Sequence, residues 1–211
     1  MNVYAGITAL KDNGLGHIIA ITGGIGSGKS KVCSHLAQLC QLPVVDLDRI
    51  CRQLLVAGEA GWLALKERID DHFFTVSGEL DRVVFRKALF ADAELRSRVD
   101  ALLHPLAQRE MAEQVSRNSG PVLVEIPLLF EAGWQDDVQR IVVVYADPEV
   151  RVQRIVSRDS VPAEQARNEI CAQYSLAEKA LQAHDVIDNC GSWQETCLQL
   201  RHLMDSLSCR G

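Results

Sequence analysis

The 211-residue chain contains no apolar run of about 18 residues, so nothing in it reads as a membrane-spanning helix. It lacks any C-x-x-C pair. Its seven cysteines, at 33, 40, 51, 171, 190, 197 and 209, are odd in number and read as reduced thiols rather than as a disulfide framework or a zinc site. It has no excess of basic charge. With 22 Lys and Arg against 28 Asp and Glu, the net charge of −6 argues against a general nucleic-acid binder. An anionic ligand would therefore need a local positive patch set against the overall field. Internal repeats and low-complexity segments are missing as well. The first sixteen residues lack the basic-then-apolar layout of a signal peptide, so 1–16 is expected to be a flexible leader on a cytoplasmic protein.

What is present is an ordinary globular composition, 47% hydrophobic and 24% charged, enough for one α/β domain. Five short apolar runs read as buried strands: HIIAITG, LPVVDLD, PVLVEIP, QRIVVVYAD and DVIDN. Helical patterns separate them. Val32, Leu36, Leu39 and Cys40 fall on one face, and Pro148 sits just inside a helix start. Between 50 and 118 lie several helices. Pro105 interrupts the stripe Val99, Leu102, Leu103, Leu106, which predicts a helix–helix joint with His104 facing a cleft. Strands alternating with helices predict a five-stranded parallel sheet covered on both faces.

Gly23, Gly28, Lys29 and Ser30 satisfy G-x-x-x-x-G-K-[ST], placed between a predicted strand and a predicted helix. Glycines let successive N–H groups converge on one anion, and the helix amino end adds partial positive charge. Lys29 can reach the β- and γ-phosphates of a nucleotide, and the Ser30 hydroxyl can bind Mg²⁺. Lys31 reads as a solvated lysine whose backbone N–H serves the phosphate. No N-K-x-D run exists for guanine recognition, and the lone D-x-x-G, Asp188 to Gly191, comes too late for a switch region. A small-molecule kinase fits better than a GTP switch or an ATP-driven motor.

Such kinases need a carboxylate near the γ-phosphate. Asp46 and Asp48 stand at the carboxyl end of the second predicted strand. Asp48 is the candidate base and a second candidate Mg²⁺ ligand, whereas Asp46 reads as a helix cap. Arg151, Arg154 and Arg158 share one helix face. They could close over a triphosphate, or they could form a solvated face paired with Asp147, Glu149 and Asp159.

Taken in order, TGGIGSGKS, VVDLDRICRQL, GELDRVVFRKALF, LLHPL, PLLFEAG, QRIVSRD and DVIDN resemble the dephospho-CoA kinase family over residues 18 to about 190. The resemblance implies a P-loop NTPase architecture: a five-stranded core, a helical acceptor-binding insertion near 50–118 and a small lid near 148–175. It implies phosphorylation of the ribose 3′-hydroxyl of dephospho-CoA by ATP with Mg²⁺. Gly24, Ile25, Gly26, Ser27, Gly28, Lys29, Ser30 and Lys31 would hold the ATP phosphates, and Asn189 would lie near the adenine. Asp48 matches the base and Arg154 and Arg158 the lid. Leu80, Asp81, Arg82, His104 and Pro105 match the acceptor side. A monomer or small homo-oligomer is expected, with dephospho-CoA as partner and neither nucleic acid nor membrane. Lys31 stands where the family usually has threonine, and His184 where an acidic residue is common. A regulatory nucleotide-binding module, or a kinase of another small acceptor, stays open as an alternative.

Overall fold

A computed structural model describes residues 18–208; the expected leader at 1–16 lies outside them. The described residues divide into two compact units, one formed by 47–114 and the other by 18–46 and 115–208.

The larger unit is built on five parallel strands in the order β2-β3-β1-β4-β5: β1 (Ile18–Gly23), β2 (Val44–Asp46), β3 (Val122–Glu125), β4 (Arg140–Tyr145) and β5 (Asp185–Asp188). β1 and β3 are buried along their whole lengths, and Ile141 to Val144 of β4 are buried too, as the apolar runs require. β2 departs from expectation. It is an edge strand of three residues, and Val44 is exposed. Periodicity reports how apolar a strand is, whereas its rank in the sheet depends on long-range pairing. Register places Asp46 beside Glu125 and Gly23 beside Val144, which brings the carboxyl ends of four strands to one edge.

Helix α1 (Lys29–Cys40) packs against the sheet through Val32, Cys33 and Leu36, together with Leu200 and Leu203 of the closing helix Trp193–Ser208. The helix Pro148–Asp159 has proline in its first turn, as the sequence predicts. Its Val152 and Ile155 join Ala166 of the helix Ala163–Cys171 in a second cluster that includes Ile25.

The smaller unit is helical: α2 (Leu47–Leu54), α3 (Ala60–Arg68), α4 (Arg82–Ala91) and α5 (Ala93–Ser116). Leu65, Phe73, Leu80, Phe85, Leu95 and Val99 form its core. Two expectations need correction. First, α5 runs unbroken through Pro105, so no joint exists at His104. Proline removes one backbone hydrogen bond. Burial of Leu95, Val99, Ala107 and Met111 along the same helix outweighs that loss. His104 stays on the helix, with Nε2 3.8 Å from Asp100 one turn earlier. Second, α2 begins at Leu47, so Asp48 lies in the first turn of a helix rather than at the end of a strand. Numbering the remaining helices in chain order, α6 is Pro148–Asp159, α7 Ala163–Cys171, α8 Leu176–Leu181 and α9 Trp193–Ser208.

Candidate active site

The loop between β1 and α1 is shaped by its glycines. Gly26 and Gly28 have φ of 77° and 86°, a left-handed conformation that side-chain-bearing residues avoid. Gly28 is the N-cap of α1. No side chain caps this helix end, and no acidic residue lies in its first turn. The leading N–H groups of α1 are thus left for an external acceptor, and the helix dipole favours an anion there.

Two arginines of α6 grip the loop by its carbonyls. Arg151 is buried, and its Nε donates to the Ile25 carbonyl at 2.8 Å. Arg154 donates from Nη1 to the carbonyls of Gly26 and Ser27, at 3.4 and 3.3 Å, and from Nη2 to Asn189 at 2.7 Å. In a trans peptide the carbonyl and the following N–H point in opposite directions. The grip on the carbonyls of Ile25 and Ser27 therefore also fixes the orientation of the N–H groups of Gly26 and Gly28. Burial pulls the Arg151 guanidinium below its ordinary pKa, against opposing contributions from Tyr145 and Cys171.

Asn189, at the end of β5, is buried. Its Nδ2 donates to the Ser27 carbonyl at 2.7 Å, and its Oδ1 accepts from Thr196 at 2.9 Å. Its side chain thus ties the loop to α9.

Glu125 closes β3. Its Oε1 accepts from the Lys29 ammonium and, at 2.6 Å, from the Ser30 hydroxyl. The Lys29 and Glu125 side chains are only 10% and 11% exposed. Sequence reasoning did not select Glu125. The available signal was a carboxylate ending the apolar run VLVE, but the partner lies far away in the chain. Beside the loop an open cavity of about 500 Å³ is lined by Ser30, Lys31, Ser34, His35, Gln38 and Trp193. Lys31 is exposed as expected, but it is not simply solvated: its Nζ lies 3.9 Å from the Trp193 ring centroid.

The two readings of the arginine face divide by residue. Arg151 and Arg154 hold the loop. Arg158 is exposed and forms a bidentate pair with Asp159 at 2.8 and 2.7 Å, which holds the Asp159 carboxyl below the usual range. In the smaller unit, Asp48 is exposed in the first turn of α2. Leu80 is part of the core. Asp81 caps α4 by accepting from Val83 and Val84 at 3.1 and 3.0 Å. Arg82 is exposed and donates to the Arg52 carbonyl at 3.2 Å. Among the described residues no group of three or more His, Cys, Asp or Glu side chains could hold a metal ion, and no helix is long and apolar enough to cross a membrane.

A 2-3-1-4-5 parallel sheet, with an uncapped helix behind a glycine loop and a lysine facing a strand-end carboxylate, defines a P-loop kinase fold. The family model described as dephospho-CoA kinase matches residues 17–195. A dephospho-CoA kinase of Shewanella oneidensis is 40% identical over 177 residues, covering 82% of this chain and 85% of that protein. One from Geobacillus kaustophilus is 36% identical over 186 residues, covering 86% and 92%. A crystal structure from Thermus thermophilus superimposes with a TM-score of 0.76 at 33% identity, covering 91% of this chain and 98% of the other. The chain belongs to the dephospho-CoA kinase family.

Proposed function

We propose that this chain transfers the γ-phosphoryl group of ATP to the 3′-hydroxyl of the ribose in dephospho-CoA, giving coenzyme A and ADP. The observation that carries the reading is the Lys29–Glu125–Ser30 cluster at an uncapped helix start, in a member of this family.

Phosphoryl transfer asks the protein for positioning and charge stabilisation. The N–H groups of residues 26–31 cradle the phosphates. Lys29 exchanges Glu125 for the β- and γ-phosphate oxygens. Ser30 Oγ and the Glu125 carboxylate are hard oxygen donors that fit Mg²⁺ brought with the nucleotide. When bound, that ion neutralises charge on the β- and γ-phosphates. Asp48 orients the acceptor hydroxyl and takes its proton. Arg158, and Arg154 once released from the loop carbonyls, offset charge that develops during transfer, within a lid spanning about 148–175. Asn189 stands near the adenine. On the acceptor side, Arg82 and His104 make the contacts, while Leu80, Asp81 and Pro105 shape the surface that carries them. The protein works in the cytoplasm.

The test is ADP release from Mg-ATP in the presence of dephospho-CoA, AMP, adenosine or shikimate. Selective stimulation by dephospho-CoA is expected. Stimulation by another acceptor names a different kinase, and tight nucleotide binding without stimulation makes the protein a regulatory module.

A further inference from the structure

The PLLFE run ends in a carboxylate that the reaction does not use. Residues 128–134 form a hydrogen-bonded turn, with Ala132 N–H to Leu128, Gly133 to Phe130 and Trp134 to Leu129 at 2.9 to 3.1 Å. Leu129, Phe130 and Trp134 are buried, so Glu131 projects from a fixed base. Its Oε1 accepts from Lys179 Nζ of α8 at 2.6 Å, and Lys179 is only 1% exposed. A lysine buried to that degree is costly unless paired. The same oxygen accepts from the Tyr174 backbone N–H at 3.1 Å, and Oε2 is buried without a hydrogen-bond partner. One residue earlier, Gln173 Oε1 accepts from the N–H of Ile25 at 2.8 Å. The carbonyl of Ile25 is held by Arg151. Both polar groups of this loop residue are therefore pinned, one of them through a segment clamped by a buried ion pair.

We propose that Glu131 and Lys179 are positioning residues for the phosphate loop. The pair fixes the backbone at Tyr174, this places the Gln173 carboxamide on Ile25, and the loop is thereby held open with its N–H groups arranged for phosphate before any nucleotide arrives. The inference rests on the loop being an ATP site and needs no assumption about the acceptor.

The experiment uses the full chain and inorganic tripolyphosphate with Mg²⁺ as probe. Binding is followed by calorimetry and the exchange of the Ile25 amide by NMR. Gln173→Leu should weaken tripolyphosphate about tenfold, the size of one lost hydrogen bond, and speed Ile25 exchange at least about tenfold. The double variant Glu131→Met/Lys179→Met replaces the pair with apolar side chains, a change that buried ion pairs often tolerate without loss of stability. It should melt close to the parent and show the same two changes. Adding Gln173→Leu to it should then do little more, because residues acting through one contact are not additive. Unchanged Ile25 exchange, unchanged tripolyphosphate affinity, or fully additive losses would each overturn the proposal. Should the double variant fail to fold, Glu131→Gln carries the same test: it keeps the shape and an acceptor, and an effect of about threefold on both readouts is expected. Because no acceptor is present, failure of dephospho-CoA turnover and failure of this relay are separate results.

Discussion

Glu125 holds the Lys29 ammonium at the carboxyl end of β3, with both side chains almost out of solvent. The same carboxylate oxygen also accepts from the Ser30 hydroxyl. Glu125→Gln keeps the shape but removes the charge. Turnover should fall roughly 100-fold while ATP affinity changes by less than about tenfold, because the proposed mechanism puts the loss on groups that meet charge in the transition state. Steady-state ADP release and calorimetry check the split.

Asp48→Asn tests the base. The amide cannot take a proton, so kcat should drop by about 10²- to 10⁴-fold. Mg-ATP affinity should stay within about threefold, since the loop is untouched. Unchanged turnover would remove Asp48 from this role.

Gly28→Ala meets two obstacles. The residue has φ of 86°, and an added Cβ would lie 2.3 Å from Asn189 Nδ2. The backbone conformation alone costs about 1–2 kcal/mol for an L-residue. Melting should fall by roughly 2–8 °C in scanning calorimetry. Nucleotide binding should weaken in parallel, because Asn189 can no longer reach the Ser27 carbonyl.

Cys33 makes stability depend on alkaline pH. Burial, with help from Glu125 and Asp46 and against Lys29, pushes its thiol up to about 12 from an ordinary 9.0. The unfolded chain releases this proton near pH 9, whereas the folded chain keeps it. The contribution is therefore complete below pH 9 and is lost as pH rises toward 12. Urea midpoints measured from pH 8 to 11 should fall more steeply for the parent than for Cys33→Ala. At pH 8 the native thiol should resist alkylating reagents.

Lys31→Thr should leave kcat and KM within about twofold, since on the proposed mechanism it is the backbone N–H of residue 31 that serves phosphate. The exposed cation–π contact with Trp193 is worth only about 0.5–1 kcal/mol. Its loss should appear as a change in tryptophan emission.

Much of the fold was readable because β1, β3 and β4 are unbroken apolar runs and Pro148 marks the start of α6. The phosphate loop was legible because its glycines, lysine and serine are contiguous. Pro105 misled because a local rule about helix interiors gave way to packing on both sides of it. The edge position of β2 was hidden because strand order is not written in any one segment. Glu125 and the Glu131–Lys179 pair were missed for a related reason: each acts on a partner more than forty positions away. The spacing of Arg151 and Arg154 told which face they share, but not that the face meets carbonyls.

The carbonyl grip of those two arginines means that the octapeptide motif is not self-sufficient in this protein. Transplanted alone between a strand and a helix of another scaffold, residues 23–30 would bring their glycines but leave behind the two guanidinium groups and the Asn189 amide that orient the peptides. The unit of function to transplant is the loop together with the first two turns of α6 and the end of β5. Variation in those distant segments should therefore reshape the loop as variation in the loop itself does.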